Sequence, residues 1–246
     1  MALLDRNTLK GYFNKGKLPS QENFHDFIES SVNKLDDGLS KSIDEGLMLS
    51  PVGDENKLVS FFRNIEDRSP IWSIATDKKE GTLQFQDRNG EAVMTFSQNN
   101  NVGINTETPQ YTLEVNGSIG SKERIGTLYR GSINADGKWY PIIENLNGCH
   151  AFEVVAGVGK KKTGKYALQI AHAISTFGKS NQIIEKTQAY YGSRGNKIEL
   201  RWKGDTYNFQ LEMRTRGNYE GNTVVNFHVS SLWNDQFMDD SFVEEE

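Results

Sequence analysis

Three regimes of hydrophobic patterning succeed one another along the chain. Up to about residue 45 the apolar positions fall at helical spacing: Phe24, Phe27, Ile28, Val32 and Leu35 make one stripe, and Glu22, His25, Asp26, Glu29 and Lys34 fall largely on the other side. Asp5 is placed to cap a short helix through Phe13 that stops at Gly16, and Leu18-Pro19-Ser20 opens a second helix that ends at Asp36-Asp37-Gly38. Two helices this short bury too little apolar area to be a stable domain. Their apolar faces are expected to meet copies of themselves or a neighbouring protein, with an ordinary intrachain helical hairpin as the alternative.

From Leu47 the period changes from helical to strand-like. Short strands are predicted at 57–62, 71–75, 82–85 and 92–96, cut by turn clusters at 67–70, 78–81 and 87–90. Two more, 102–104 and 111–115, flank a turn at Pro109 in the manner of a hairpin. Strands of this length need partners from other turns or other chains. Their apolar positions, among them Leu83, Phe85, Met94, Phe96, Val102 and Leu113, exceed what one thin ladder covers.

From about Gly126 the strands lengthen. Ile198, Leu200 and Trp202 alternate with Lys197, Glu199, Arg201 and Lys203. After a Gly204-Asp205 turn, Tyr207, Phe209, Leu211 and Met213 alternate with Asn208, Gln210, Glu212, Arg214 and Arg216, and Val225, Phe227 and Val229 repeat the pattern. Such alternation means antiparallel sheets with one wet face. With further strands at 131–133, 140–143, 151–155, 166–174 and 183–191 the count is about eight, that of a jelly-roll-like sandwich. The fold class read from pattern is therefore mainly β: a short helical segment, a short β-strand shaft and a C-terminal antiparallel β-sandwich.

The run Asn100-Asn101-Val102-Gly103-Ile104-Asn105-Thr106, followed by Pro109 and by Leu113-Glu114-Val115-Asn116-Gly117-Ser118-Ile119, closely resembles a shaft element of phage tail fibres and related trimeric bacterial adhesins. There the box usually reads Gly-Asn-Val-Gly-Ile-Gly-Thr. The order Leu9-Lys10, Phe13, Gly16, Pro19, Phe24, Phe27-Ile28, Ser31, Asn33, Asp36-Asp37-Gly38 resembles the N-terminal segment of tail-fibre-like proteins from phages and contractile injection systems of Bacteroidota, and the C-terminal segment is similar to terminal domains of such proteins. The resemblance implies an intertwined homotrimer in three parts. Residues 1–45 would attach to phage tail or baseplate proteins through Phe24, Phe27, Ile28 and Leu35; 46–125 would be the shaft; 126–246 would be a receptor-binding domain. The shaft element occurs once clearly and once weakly, so the implied shaft is short.

Composition narrows the classes. Over 246 residues the formal net charge is −5, spread along the chain except for the tail Glu244-Glu245-Glu246; neither a nucleic-acid nor a membrane footprint follows. A single cysteine, Cys149, precludes an intrachain disulfide framework and fits synthesis in a reducing compartment. The start Met1-Ala2-Leu3-Leu4-Asp5-Arg6 is unlike a secretory signal, and no apolar run approaches a membrane span. The expectation is synthesis in the bacterial cytoplasm without a signal peptide, then assembly into a virion tail or extracellular phage-like particle.

The residues suggest no catalytic constellation, metal set or cofactor. Gly159-Lys160-Lys161-Lys162-Thr163-Gly164-Lys165-Tyr166 matches a phosphate-binding loop except at its last position, where Tyr replaces the Ser or Thr that coordinates magnesium, and its surroundings are strands; a basic hairpin loop is expected. His25, His150, His172 and His228 show no ligand spacing. The Ser-Lys pattern of the self-cleaving domain that often ends such fibres is missing. The candidate site is a binding face: Arg201, Lys203, Arg214 and Arg216 on adjacent wet strands, with Trp139, Tyr190, Tyr191 and Tyr219 in or near loops. Aromatics beside planar Arg donors suit a cell-surface glycan or other anionic polymer; the competing reading pairs those arginines with Glu199 and Glu212. The leading function is a non-enzymatic fibre component. The alternatives are a structural baseplate or tail subunit without receptor binding, or a carbohydrate-active enzyme.

Overall fold

The computed structural model describes residues 4–31, 36–64, 66–77 and 79–241 and falls into two compact units, Met1–Gly120 and Ser121–Glu246. The first unit holds the helices and the short strands, the second the longer strands.

In the first unit, helix α1 (Arg6–Tyr12) begins where Asp5 accepts from the backbone N–H of Asn7 and Thr8. Helix α2 (Gln21–Glu29) begins where Ser20 and Asn23 close a reciprocal capping box. Phe13 meets Phe24 and Phe27 edge-on, with centroids 5.6 and 5.8 Å apart, yet neither helix holds a buried residue. The second helix is shorter than its apolar stripe predicts. Ser30 caps it, and Ser31 Oγ donates to the Phe27 carbonyl, competing with the backbone bond that would extend the helix. Val32 and Leu35 lie outside the described residues. Gly38 is not the helix end. With φ +62° it closes a hairpin of β1 (Leu39–Ser42) and β2 (Gly46–Leu49), its carbonyl accepting from Ser50 N, so strand structure begins inside the span read as helical.

Strands β3 (Lys57–Phe61), β4 (Trp72–Thr76), β5 (Leu83–Gln86), β6 (Ala92–Phe96), β7 (Val102–Ile104) and β8 (Leu113–Val115) form one six-stranded sheet in chain order. The pairing is antiparallel up to β7, but β7 and β8 run parallel, Val102 opposite Leu113 and Ile104 opposite Val115, so the segment is not a hairpin. Its sequence explains the tight crossover. Asn100 and Asn105, standing where the resembled box has glycine, take φ +62° and +54°, a region asparagine tolerates better than other side-chain-bearing residues. A Cβ on Gly103 would come within 2.5 Å of the Thr106 carbonyl, so the returning loop needs glycine there. Asn101 Nδ2 donates to the Pro109 carbonyl and Asn116 Nδ2 to that of Asn105, pinning both ends.

The register sorts this sheet into two unlike faces. One carries Val59, Phe61, Trp72, Ile74, Leu83 and Phe85, continued by Met94, Phe96, Val102, Ile104, Leu113 and Val115. The other carries Ser60, Ser73, Ala75, Gln84, Thr95 and Gly103. The second is the closed face: Ser73, Ala75 and Thr95 are buried. Phe61, Trp72, Phe85 and Phe96 on the first are 37–47% exposed.

The second unit holds β9 (Tyr129–Asn134), β10 (Tyr140–Leu146), β11 (Cys149–Lys160), β12 (Lys165–Thr176), β13 (Ile183–Tyr191), β14 (Ile198–Asp205), β15 (Asn208–Thr215) and β16 (Val224–Ser231). These are eight antiparallel strands in two sheets, ordered β13-β12-β11-β16-β9 and β10-β15-β14. Phe152, Val154, Ala171, Val225 and Val229 of the larger sheet share one buried core with Ile143, Ile198, Leu200, Leu211 and Met213 of the smaller. The predicted alternation of β14 and β15 holds, except that Tyr207 lies in the exposed turn before β15.

Candidate functional site

The expected arginine face forms on the outer side of the three-stranded sheet. Cross-strand register sets Arg201 opposite Glu212 and Glu199 opposite Arg214. Arg201 Nε donates to Glu212 Oε2 at 2.6 Å, Lys203 lies 3.5 Å from Oε1 of the same carboxylate, and Arg214 donates through Nε and Nη2 to Glu199 Oε2 at 2.8 and 2.7 Å. Trp139, just ahead of β10, stacks with both guanidinium groups, whose carbons lie 4.2 and 4.4 Å from its ring centre. Burial alone would raise the Glu212 carboxyl, but hydrogen bonds from Arg201 and Gln210 and the nearby charges of Arg201 and Lys203 hold it below its ordinary value. The pattern therefore brings Trp139, Arg201, Lys203 and Arg214 together with much of their charge spent on one another. It is an internally neutralised face.

The other expected members are elsewhere. Tyr219 is a core residue, fully buried, with its hydroxyl donating to the Asn196 carbonyl at 2.7 Å; burial pushes its phenol up to about 12. It cannot touch a ligand on the surface. Its phenol ring fills the end of the sandwich, where the Arg194–Asn196 3-10 turn presents a carbonyl that needs a donor. Tyr190 and Tyr191 point to opposite faces of β13: Lys197 Nζ sits over the Tyr190 ring at 5.0 Å, and Tyr191 stands opposite Tyr166. Arg216 follows the end of β15 and is exposed. Of the attachment residues, Phe24, Phe27 and Ile28 are exposed.

The lysine loop is the tip of the β11–β12 hairpin, with Lys160 paired to Lys165 in register. Lys160 Nζ donates to the carbonyls of Tyr219 and Glu220, and Lys165 Nζ to that of Asn218. These two lysines tie the tip to the 218–220 turn. His150 stacks on Phe152 on the core side and donates through Nε2 to the Asn147 carbonyl, whereas His172, between Glu153 and Glu185 in register, points outward. Among the described residues no three His, Cys, Asp or Glu side chains converge as metal ligands, and no helix is long and apolar enough to cross a membrane.

A second surface was not anticipated. Strand β12 alternates cleanly, but its inward residues are Ala167, Gln169, Ala171, Ala173 and Ser175, whereas Tyr166, Leu168, Ile170 and Ile174 face outward. Across the register, Ile183 and Tyr191 of β13 extend this outer block. Leu168 is 58% and Ile183 54% exposed, while Gln169 is fully buried. Larger side chains outside and smaller ones inside invert the usual order. No known protein-family model matches the chain, and no curated protein matches it.

Proposed function

We propose that the chain is a non-enzymatic, homotrimeric, fibre-like component of a phage tail or phage-like contractile particle, attached through its N-terminal helices and binding a cell-surface receptor, a glycan, with its C-terminal unit. The observation that carries this reading is that each unit leaves the large apolar side chains of one sheet open. With about 150–250 Å² for an aromatic residue, the exposed fractions of Phe61, Trp72, Phe85 and Phe96 leave roughly 350 Å² of aromatic surface open per chain. That alone reaches the largest patch of a typical monomer and nearly half of the ~800 Å² each partner gives to a standard interface. Copies of the chain turning these faces inward would cover them, as the short strands require. The number three comes from the resemblance of the 100–119 segment to trimeric fibre shafts.

Light scattering on the full chain tests it. Three chain masses are expected; a stable monomer overturns the fibre reading, and a dimer overturns the trimeric shaft. A second reading, a structural baseplate or tail subunit without a receptor, is favoured by the self-paired Arg201–Glu212 and Arg214–Glu199 face, which offers a ligand little unspent charge.

A further inference from the structure

The outer face of the five-stranded sheet is divided. Its β12–β13 half carries the large apolar side chains described above, interrupted by His172 and Glu185; its β11–β16–β9 half is hollow and polar. The outward positions of β11 run Ala151, Glu153, Val155, Gly157, Gly159, so bulk disappears toward the hairpin tip. Nothing in the backbone demands Gly157. Its φ is not positive, and an added Cβ would meet only Leu168 Cδ1 at 3.5 Å and the Ala167 carbonyl at 3.9 Å. A glycine in mid-strand weakens the strand and marks a place where something approaches closely. Here it floors a trough.

Two concavities, of about 810 and 600 Å³, share Gly157 and Asn226 and so make one channel along the strands. Across it, His228 stands opposite Arg130 and Asn226 opposite Ser132. The side chains of Arg130, Ser132 and Asn226 make no hydrogen bond or ion pair among the described residues, nor does that of Lys161 at the far end. Arg124 at the rim is already spent on Glu153 at 2.6 Å. His228 Nδ1 accepts from Gly126 N at 3.0 Å, so the proton of the neutral ring is on Nε2, which is left as a donor. Tyr166 walls the far concavity with a half-exposed ring. From the Arg130 row to the Gly159 row is about 13 Å at 3.3 Å per residue.

We propose that this trough binds an acidic oligosaccharide. Arg130 would take a carboxylate, a geometry its planar fork suits; Ser132, Asn226 and His228 Nε2 would meet hydroxyls; Tyr166 would pack on a sugar face. A nucleic acid would need a row of cations, and the chain carries a net −5. A peptide adding as a strand would need the sheet's edge, not its face. The proposal rests on the C-terminal unit being the receptor-binding part, and it moves the site away from the Trp139 face.

The test is titration calorimetry on the full chain with a panel of acidic oligosaccharides (oligogalacturonate, oligoglucuronate, disialic acid) and with neutral maltotetraose, alongside light scattering on the same samples. At least one acidic member is expected to bind and maltotetraose at least tenfold more weakly. Gly157→Val should weaken acidic binding at least tenfold with circular dichroism unchanged; should that variant fold poorly, Gly157→Ala, whose methyl has room, should weaken it severalfold. Arg130→Gln should erase the preference for acidic over neutral ligand. No heat with any acidic member at millimolar concentration, from a chain that scatters as a trimer, overturns the trough and leaves the fibre reading standing; binding by a monomer does the reverse. Binding that survives Gly157→Val but falls with Arg214→Gln returns the site to the Trp139 face, and equal affinity for oligo-dT overturns the saccharide assignment.

Discussion

Replacing Phe85 by Thr is the sharpest probe of the open sheet in the first unit. Phe85 sits mid-sheet, between Ile74 and Met94 in register and 6.3 Å from the Phe96 ring, and is 37% exposed in the single chain. That fraction is roughly 75 Å², or about 2 kcal/mol per chain at 25 cal/mol/Å² once another copy covers it. In the trimer proposed above three chains lose it together, so that assembly is weakened by about 5–6 kcal/mol, roughly four decades in its dissociation constant. Thr keeps β propensity and leaves the backbone ladder intact. The assay is mass by light scattering and by native mass spectrometry over a dilution series, with Gln84→Thr on the opposite face as the control. Phe85→Thr should dissociate at concentrations where wild type and Gln84→Thr remain trimeric. If Phe85→Thr and Trp72→Thr both hold the trimer down to the wild-type limit, the apolar face is not where the chains meet.

Three further outcomes follow from named contacts. Tyr219→Phe leaves the Asn196 carbonyl without its 2.7 Å donor and should cost about 1–3 kcal/mol in urea unfolding of the second unit. The same phenol, raised from 10.0 to about 12, contributes stability that is full below 10 and lost as pH rises through its folded value; on the order of 3 kcal/mol should disappear, and Tyr219→Phe should flatten that alkaline decline. Glu212, held below its ordinary 4.5, contributes stability that is present above that value and lost as pH falls through the lower folded one. Glu212→Gln should therefore cost about 1 kcal/mol at pH 7, the half-exposed Arg201 being screened, and should make acid unfolding monitored by tryptophan fluorescence less steep. Ser20→Ala removes the capping box of α2 and should cost about 1 kcal/mol, read as faster amide exchange over 21–29.

Strand positions were legible wherever a two-residue period met a strong turn: the predicted strands 92–96, 102–104 and 183–191 coincide with β6, β7 and β13. Helix starts were legible because capping is local, as at Asp5 and Ser20. What escaped depends on distant partners. The parallel pairing of β7 with β8 is set by hydrogen bonds from Asn101 and Asn116 to carbonyls across the loop, and nothing in a short apolar triplet states the direction of its neighbour. Tyr219 looked like a loop aromatic because its Gly- and Asn-rich surroundings do form a turn. Its burial comes from a carbonyl 23 residues earlier in the chain.

Alternation has a deeper limit, which β12 exposes. A period of two sorts side chains into two sets and is silent about which set faces inward. In β14 charge settles the choice, since Glu199, Arg201 and Lys203 cannot all be buried unpaired. In β12 the ionisable residues are only Lys165 at the hairpin end and His172, one in each set, so size decides, and size favours Leu168, Ile170 and Ile174 as core. The structure puts Ala167, Gln169, Ala171 and Ala173 there instead: beside an interior filled by Phe152, Phe209, Ile143 and Met213, three of these four positions carry only a methyl group and Gln169 alone reaches further in. A chain that keeps large aliphatics on the outside of one sheet and large aromatics on the open side of another leaves roughly half of that surface in water as a monomer. Both choices become stabilising together if the covering surface is supplied by another copy.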